Sequence, residues 1–323
     1  MKGPKFGRLS GAFKALAVLG VGAVMLGAHH NRDRAATPQD SLPVSDINAG
    51  VGPGANLGDW APERSFRLVD LRQWGGFAAL DSAQRLTILK INRVDEAHAR
   101  RRALVVPDRV GDELSYSPFP ATVPALLEVP KFIVVSRRVQ AFGAYEYGRL
   151  VRWGPTSTGK ATTPTDSGLF FTNWKSRQAV STEDPSWILD WYVNFIALKG
   201  VAFHQYSLPG RPASHGCVRL LEADAYWIYQ WAAQWVPGRG SKVKRYGTPV
   251  LVMGDYDYRA PAPWMELPTA PLADQVSDGE LADALAPELG MILARTPSYE
   301  AVPGSQALAL AGSILGDRPT ADF

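Results

Sequence analysis

The sequence predicts a mainly β fold, a β-sandwich or barrel with one packed helix, preceded by a small helical or α+β subdomain. Short runs of β-branched and aromatic residues, separated by turn residues, recur between residues 132 and 206. A helical spacing of apolar residues follows over 222–235, and Thr248–Val252 is again strand-like. An order of strands, one helix and a further strand is typical of a β-sheet domain with a helix packed on it.

The composition is that of a globular protein, with 46% hydrophobic and 20% charged residues in a chain of 323. A chain of this length can bury a substantial core, as one large domain or two smaller ones. Its 34 Lys and Arg residues against 31 Asp and Glu give a net charge of +3, which is too small to indicate a nucleic-acid partner. The charge permits contact with an anionic cell-wall polymer without requiring it.

Residues 1–28 have the pattern of a signal peptide. Basic residues at Lys2, Lys5, Arg8 and Lys14 precede an uncharged run rich in Ala, Val, Leu and Gly. That run is short for a membrane-spanning helix, which needs about 20 residues. We therefore expect export to the periplasm or cell envelope, with an uncleaved membrane anchor as the alternative. The single cysteine lies far from this segment, which excludes lipoprotein processing.

Changes in composition divide the rest of the chain. Residues 29–62 are rich in Ala, Gly, Pro and Asp and are predicted to be a flexible linker. Residues 257–323 form a C-terminal extension with Pro-rich and Ala/Leu-rich segments, in which Ser277–Ala294 is a candidate peripheral helix. Between them we place a small accessory subdomain at 63–125 and the main β domain at 126–256.

The accessory subdomain combines a helical pattern over Ala78–Val94 with a short strand at Leu104–Pro107. Ile91–Asp95 followed by that strand faintly resembles the second half of a LysM glycan-binding repeat, whose first half has no counterpart in the sequence. A small helical subdomain packed on the main domain is the favoured interpretation. An extended, Pro-rich connector, Leu114–Pro130, leads into the main domain.

Six strands are predicted in the first part of the main domain, with hairpin turns between the early ones. These strands are Phe132–Val135, Val139–Tyr145, Arg149–Trp153, Gly168–Thr172, Trp187–Phe195 and Gly200–Tyr206. The helix that follows places Ala225, Ile228 and Ala232 on one face, which indicates that this face packs on the sheet.

Cys217 is the only cysteine, so the chain can form no internal disulfide. A free thiol in an oxidising compartment is liable to oxidation, so its presence in an exported chain favours chemical use over a role as a small buried hydrophobe. A nucleophilic thiol needs a base, and imidazole is the commonest one. His215 stands two residues before the cysteine, and His204 ends the preceding strand, with a Pro/Gly loop able to fold that strand back.

The residues around the thiol complete an acyl-transfer pattern. Gly216 permits a tight turn that aims successive N–H groups at one place, as an oxyanion hole requires. The helix that begins near Glu222 brings a positive end close to the thiol. Two alternatives remain open: a zinc site made of His204, His215 and Cys217 with an unmarked Asp or Glu, and a purely structural turn.

The run Ser214-His215-Gly216-Cys217-Val218-Arg219 resembles the signature of the L,D-transpeptidase catalytic domain, the YkuD type. The resemblance extends over about 129–254 and includes the strand pair around Ile133 and Phe142, the turn at Ser157–Lys160 and the loop at Thr163–Gly168. It implies an L,D-transpeptidase-like fold and identifies 126–256 as the catalytic domain.

The resemblance also implies roles for individual residues. Cys217 is the expected nucleophile and His204 the expected base, with its ring held by the backbone carbonyl of Gln205. Ser214, His215 and Gly216 are expected to shape the catalytic turn, with N–H groups near Gly216 and Cys217 binding the oxyanion. Arg219, Gln205 and Tyr206 are the expected substrate-binding residues, and Trp187 and Trp191 are candidates for lining the groove.

The activity that the resemblance implies is L,D-transpeptidation on the stem peptides of peptidoglycan. The thioester formed with the stem would pass to an amine acceptor, which is a second stem, a D-amino acid or a protein. No metal or organic cofactor is expected, no nucleic acid is expected as a partner, and membrane contact is expected only through an uncleaved N-terminal segment. The alternatives are an L,D-carboxypeptidase or trimming hydrolase and a non-catalytic wall-binding protein.

Two departures from the family pattern bear on the substrate. Gln205 stands after the upstream histidine, where the family usually has Gly, and the loop from His204 to Ser214 is shorter than usual. Since any residue supplies a backbone carbonyl, the thiol, the imidazole and its orienting group are all retained. The shape of the substrate site and the choice of acceptor are what these differences affect.

Overall fold

The computed structural model describes residues 64–70, 76–100, 102–109, 111–240 and 242–296, all within one compact unit, Trp60–Phe323. The predicted signal peptide and linker, and the C-terminal tail from residue 297, lie outside the described residues. Within the described ranges, no helix is long and apolar enough to cross a membrane.

A nine-stranded sheet dominates the described part of the chain. Its strands are β3 (Phe132–Ser136), β4 (Ala141–Glu146), β5 (Arg149–Ser157), β6 (Gly168–Phe171), β7 (Lys175–Val180), β8 (Ile188–Ile196), β9 (Val201–Gln205), β10 (Val218–Leu220) and β13 (Pro249–Met253). Two further pairs of short strands stand apart from it, namely β1 (Phe66–Val69) with β2 (Leu104–Pro107) and β11 (Val236–Pro237) with β12 (Val243–Arg245).

The order of strands in the large sheet is β6-β13-β3-β4-β5-β10-β9-β8-β7. Two neighbouring pairs are parallel, β13 with β3 and β10 with β9, and the other pairs are antiparallel. The sheet curls, since Phe170 on the edge strand β6 lies 5.9 Å from Phe195 on β8, measured between ring centroids. The predicted mainly β class is confirmed.

Alternation along the strands places apolar residues on both faces of the sheet. In β3, Ile133 and Val135 join one core cluster while Phe132 and Val134 join another. Because both faces are covered, these strands read as continuous apolar runs rather than as an alternating pattern.

The helices of the described residues are α1 (Ser82–Asn92), α2 (Glu96–Ala99), α3 (Glu222–Trp231), α4 (Asp278–Leu285) and α5 (Leu289–Arg295). The last three cover the two faces of the sheet. Helix α3 buries Ala225 and Ile228 in the cluster of Ile133, as its spacing predicts. Leu285 and Ile292 of the C-terminal helices pack into the other cluster.

Two predicted helices differ in extent from the observed ones. Helix α3 ends at Trp231 because Ala232 has an extended backbone, and the chain then enters β11. The predicted helix at 277–294 is two helices, α4 and α5, separated at Pro287, which has no N–H to continue the hydrogen-bond ladder.

The accessory region is a small α+β arrangement. Strands β1 and β2 pair antiparallel, and α1 begins at a capping box in which Asp81 and Gln84 satisfy each other's backbone N–H groups. The segments of the LysM resemblance form the end of α1 and strand β2. Strand β1 was not predicted, because its four residues bury only Phe66 and Val69 and show no alternation.

Two buried cations at the end of α1 tie this region to the sheet. The Lys90 Nζ donates to the Trp153 carbonyl at 2.8 Å, forms an ion pair with Glu113 and lies 3.5 Å from Asp224. The Arg93 guanidinium lies 2.8 Å from the Asp274 carboxylate. Both cations are fully buried and both have carboxylate partners.

Candidate active site

The thiol and the imidazole meet because two parallel strands lie side by side. Strands β9 and β10 pair in a register that sets Arg219 opposite His204. Alternation puts Cys217 on the same face as Arg219, while Val218 and Leu220 point into the core. Cys217, His204 and Arg219 therefore share one face, and all three line a cavity of about 170 Å³.

The turn before the cysteine is held by its own side chains. Gly216 has a φ of +113°, which side-chain-bearing residues rarely adopt. The Ser214 Oγ donates to the Cys217 carbonyl at 2.5 Å and accepts the Gly216 N–H at 3.1 Å. The Thr165 Oγ1 donates to the Gly216 carbonyl at 2.7 Å. The loop is thus locked in the conformation that presents Cys217.

This hydrogen bonding bears on the predicted oxyanion donors. The Gly216 N–H is already donated to Ser214 Oγ. The Cys217 N–H has no acceptor within the described ranges. Of the two predicted donors, Cys217 N–H is the one left open for an oxyanion.

His204 is held in one tautomer. Its Nδ1 lies 2.9 Å from the Gln205 carbonyl, which can only accept, so Nδ1 carries the proton and Nε2 has a free lone pair. The side chain is 3% exposed. Burial lowers the pKa of His204 to about 4, the Gln205 carbonyl opposes the shift and the Arg219 charge adds to it. The imidazole is neutral over the physiological pH range and can accept a proton.

Cys217 is partly buried, and its Sγ lies 3.8 Å from the Gly200 carbonyl. Burial raises the pKa of the thiol, while a hydrogen bond with the Ala202 backbone and the charge of Arg219 lower it in part. The described contacts include no direct hydrogen bond from this sulfur to the His204 ring. The resting pair is therefore a neutral thiol and a neutral imidazole rather than a thiolate and an imidazolium.

Arg219 brings a positive charge to the cavity. Its guanidinium lies 4.7 Å from the centroid of the Tyr206 ring, and its electrostatic partners are Tyr206 and Cys217 rather than a carboxylate. Its planar fork suits a carboxylate ligand. Tyr206 lines the cavity as well, whereas Gln205 contributes its carbonyl to His204 and its side chain is not part of the lining.

His215 lies at the rim of the cavity and is exposed. Its Nε2 is 2.8 Å from the Lys160 Nζ, and its ring lies 5.2 Å from that of Trp187. The ring is thus engaged with rim residues, and its predicted role in shaping the turn stays a prediction.

Comparison with known proteins gives a family match over the main domain. Residues 130–252 match the family model of the L,D-transpeptidase catalytic domain, YkuD. No curated protein matches the chain.

Three solved structures similar to the chain are an L,D-transpeptidase from Mycobacterium smegmatis, L,D-transpeptidase 1 from Mycobacterium tuberculosis and an L,D-transpeptidase from Stackebrandtia nassauensis. Their identities are 22%, 23% and 24%, with TM-scores of 0.31, 0.30 and 0.32. Each match covers 39% of this chain and respectively 59%, 63% and 56% of the other. The chain thus spans less than two thirds of the length of these structures.

The cavity of the main domain has lining residues that sequence reasoning missed. Tyr192 donates to the Gly200 carbonyl at 2.6 Å, the same carbonyl that the Cys217 sulfur approaches. Glu183 and Lys199 also line the cavity. Their signal in the sequence was weak, because the hairpin β7–β8 that carries Glu183 and Tyr192 begins with a strand of polar residues.

One predicted groove residue lies elsewhere. Trp191 packs against Tyr226 and Tyr229 of helix α3, at ring distances of 4.8 Å and 5.6 Å. Its φ of +56° lies at an irregularity in the pairing of β8 with β9, which turns the ring toward the helix. Trp187, by contrast, lines the cavity.

The described residues contain no group of three or more His, Cys, Asp or Glu side chains placed to hold a metal ion. The ring nitrogens of the two histidines have separate partners, a backbone carbonyl for His204 and Lys160 for His215.

Proposed function

We propose that the domain is a cysteine-dependent L,D-transpeptidase that acts on peptidoglycan tetrapeptide stems through an acyl-thioester. One observation carries the proposal: Cys217 and a His204 locked with Nε2 unprotonated line the same cavity on one face of the sheet. The family match of residues 130–252 supports the choice of substrate.

The first half of the reaction acylates the enzyme. The thiol attacks the amide that joins the L-centre of the diamino acid to the terminal D-alanine, and its proton passes to His204 Nε2. The Sγ–C bond forms, the C–N bond breaks, and the imidazolium returns the proton to the nitrogen of the departing D-alanine. Because both groups start neutral, the proton moves as the sulfur attacks rather than beforehand.

Two groups stabilise this step. The free Cys217 N–H is positioned next to the nucleophile, where the oxyanion of the tetrahedral intermediate develops. Arg219 binds the carboxylate of the terminal D-alanine, since it lies on the same face and has no carboxylate partner in the part of the chain that the structure describes.

The second half resolves the thioester. An amine gives a cross-link or an attached acceptor, and water gives a trimmed stem. The proposed site of action is the periplasm or cell envelope, which the signal-like pattern at 1–28 supports.

Intact-protein mass spectrometry after exposure to a carbapenem tests the nucleophile. The β-lactam carbonyl should leave a covalent adduct on the parent protein and none on Cys217→Ala. A parent protein that stays unmodified, or an equal adduct on Cys217→Ala, would contradict the proposal.

Product analysis with a tetrapeptide donor separates the alternatives. A new amide formed with an added amine supports the transpeptidase, and free acid whatever the acceptor indicates an L,D-carboxypeptidase. Wall-product chemistry in the cell that is unaffected by Cys217→Ala would favour the non-catalytic wall-binding interpretation for this chain. Stoichiometric zinc with loss of folding on chelation would favour the metal site.

A further inference from the structure

The charged groups around the cavity differ in whether the fold has already paired them. Lys199 lies 2.6 Å from Asp166. Arg219 interacts with Tyr206 and Cys217 but with no carboxylate. Glu183 forms no ion pair with any Lys, Arg or His of the described ranges, although it lines the cavity. The cavity therefore presents one unpaired cation and one unpaired anion.

Glu183 sits in a loop that local hydrogen bonds hold in place. The Ser181 N–H donates to the Trp187 carbonyl at 3.0 Å, and the Trp187 N–H donates to the Asp184 carbonyl at 3.0 Å. The Asp184 carboxylate accepts the Ser186 N–H at 2.9 Å and the Ser186 hydroxyl at 2.7 Å. These bonds use the side chains of Asp184 and Ser186.

The Glu183 carboxylate is thus the acidic group of this tip that the loop itself does not use. Its backbone is fixed, since its N–H donates to the Ser181 Oγ at 3.1 Å. Trp187, at the end of the same loop, lies 5.2 Å from His215 and 6.4 Å from Tyr206, so the loop is seated against the catalytic turn. The charge of Glu183 also acts on Cys217 and contributes to the raised pKa of the thiol.

A negative charge beside a nucleophilic thiol does not help acylation, because it opposes a developing thiolate. It suits the second half of the reaction, in which the acceptor arrives with an ammonium group. We infer that Glu183 binds the ammonium group of an incoming amino-acid acceptor, whose carboxylate takes the place at Arg219 that D-alanine has left. This inference rests on the proposed function and names the acceptor class as a zwitterionic amine.

Transfer of the acyl group to the acceptor begins with a deprotonation, in which the bound ammonium releases one proton to water. The amine nitrogen forms a C–N bond with the acyl carbon, the C–S bond breaks, and a second proton passes from nitrogen through His204 to the Cys217 sulfur. The products are an amide and the neutral thiol, which are ready for another cycle.

The test measures how the acyl-enzyme partitions between amide and free acid. A tetrapeptide donor is supplied with D-methionine, and the amide-to-acid ratio is measured for the parent, Glu183→Gln and Glu222→Gln. We expect Glu183→Gln to lower the ratio about fivefold, in line with the strength of an exposed ion pair. Glu222→Gln removes an exposed carboxylate outside the cavity and should leave the ratio unchanged.

Two further measurements distinguish a charge effect from a structural one. Hydroxylamine, an acceptor that is largely uncharged at mildly alkaline pH, should give the same ratio with Glu183→Gln as with the parent. Raising the ionic strength should lower the D-methionine ratio of the parent more than that of the variant.

Equal D-methionine ratios for the parent and Glu183→Gln, with normal carbapenem adducts on both, would overturn this inference and leave the proposed function standing. An equal loss with hydroxylamine would show that Glu183 acts on the fold of the loop, and it would also overturn the inference. If the parent forms no adduct at Cys217, the proposed function and the inference fall together.

Discussion

The cavity and the end of helix α1 differ in whether their charged side chains form ion pairs. At α1, Lys90 and Arg93 are fully buried, and each is matched by carboxylates and backbone carbonyls. At the cavity, Arg219 has no carboxylate partner among the described residues. Burying an unpaired charge is costly, so the two fully buried cations need the carboxylates beside them, whereas Arg219 lines a cavity that a ligand can enter.

The same contrast applies to hydrogen bonding. Each of the three nitrogens of Arg93 donates a hydrogen bond, Nε to the Val139 carbonyl at 2.9 Å, Nη1 to backbone carbonyls and Nη2 to Asp274. His204 uses Nδ1 for the Gln205 carbonyl and keeps Nε2 open. A side chain with all of its donors satisfied stabilises the fold, whereas one with a free acceptor beside a thiol is available for chemistry.

At the cavity, the largest expected effect is on the rate of acylation, and it follows from substitution of the proposed base, His204. His204→Gln removes the proton acceptor, and we expect the rate of donor acylation to fall about 10²- to 10⁴-fold, as for the loss of a general base. His215→Gln is the matched variant, and its effect should be far smaller, because its ring is engaged at the rim. Rapid-quench kinetics of acyl-enzyme formation would measure both, and equal losses would refute the assignment of His204.

The largest effect on the α1 side should be on stability. Arg93→Met leaves the buried Asp274 carboxylate without its cation, and we expect the free energy of unfolding to fall by about 3–5 kcal/mol. Chemical denaturation would measure the change. The double variant Arg93→Met/Asp274→Leu should recover most of the loss, since it removes both charges. If Arg93→Met has the same denaturation midpoint as the parent, the ion pair of Arg93 with Asp274 does not stabilise the fold.

The third prediction concerns the protonation state of the Cys217 thiol at the cavity. Because its pKa is raised above the ordinary value of about 8.5, Cys217 should be mostly protonated at neutral pH. We expect its alkylation by iodoacetamide to speed up about tenfold per pH unit from neutral toward alkaline pH.

The dependence of the alkylation rate on pH distinguishes a neutral thiol from a thiolate in the resting site. The thiolate appears as the pH rises through the raised pKa, so reactivity should be lost as the pH falls. A rate that instead stays constant from alkaline pH down into the acidic range would reveal a thiolate–imidazolium pair. Cys217→Ala serves as the control for alkylation elsewhere.

The smallest predicted effect concerns Arg219. Arg219→Gln should raise the donor KM about tenfold, as expected for the loss of one charge-assisted hydrogen bond. The free energy of unfolding should change by less than about 1 kcal/mol, because only the contact with Tyr206 is lost. Steady-state kinetics with donors that carry a terminal carboxylate or a terminal amide would check it. A similar KM for both donors in the parent would contradict the role.

Much of the fold was predictable from local patterns. The β-branched run at 132–135, the turn at Glu146–Gly148 and the helix at 222 all appear where the sequence places them. The elements that were missed are short or polar, such as Phe66–Val69 and Lys175–Val180, whose positions are set by pairing with a distant strand rather than by their own pattern.

The candidate site likewise contains residues that a local sequence pattern indicates and residues that it does not. The run from Ser214 to Arg219 indicated the candidate nucleophile, its turn and a candidate binding arginine, because a nucleophile, a glycine that accepts a positive φ and a polar loop residue must be adjacent to work together. The hairpin that carries Glu183 has no such local signature. Its residues come close to the thiol because β8 pairs with β9, which pairs with β10.

By itself, the sequence determined the fold class of the domain and indicated its candidate reactive groups, since those follow from residue type and spacing. Only the tertiary structure decided which polar groups remain free. Whether Nε2 of His204, the N–H of Cys217 and the charges of Arg219 and Glu183 have partners depends on strands and loops far away in the chain. Hydrogen bonding and charge pairing are properties of what lies within a few ångströms in space, and no local pattern encodes them.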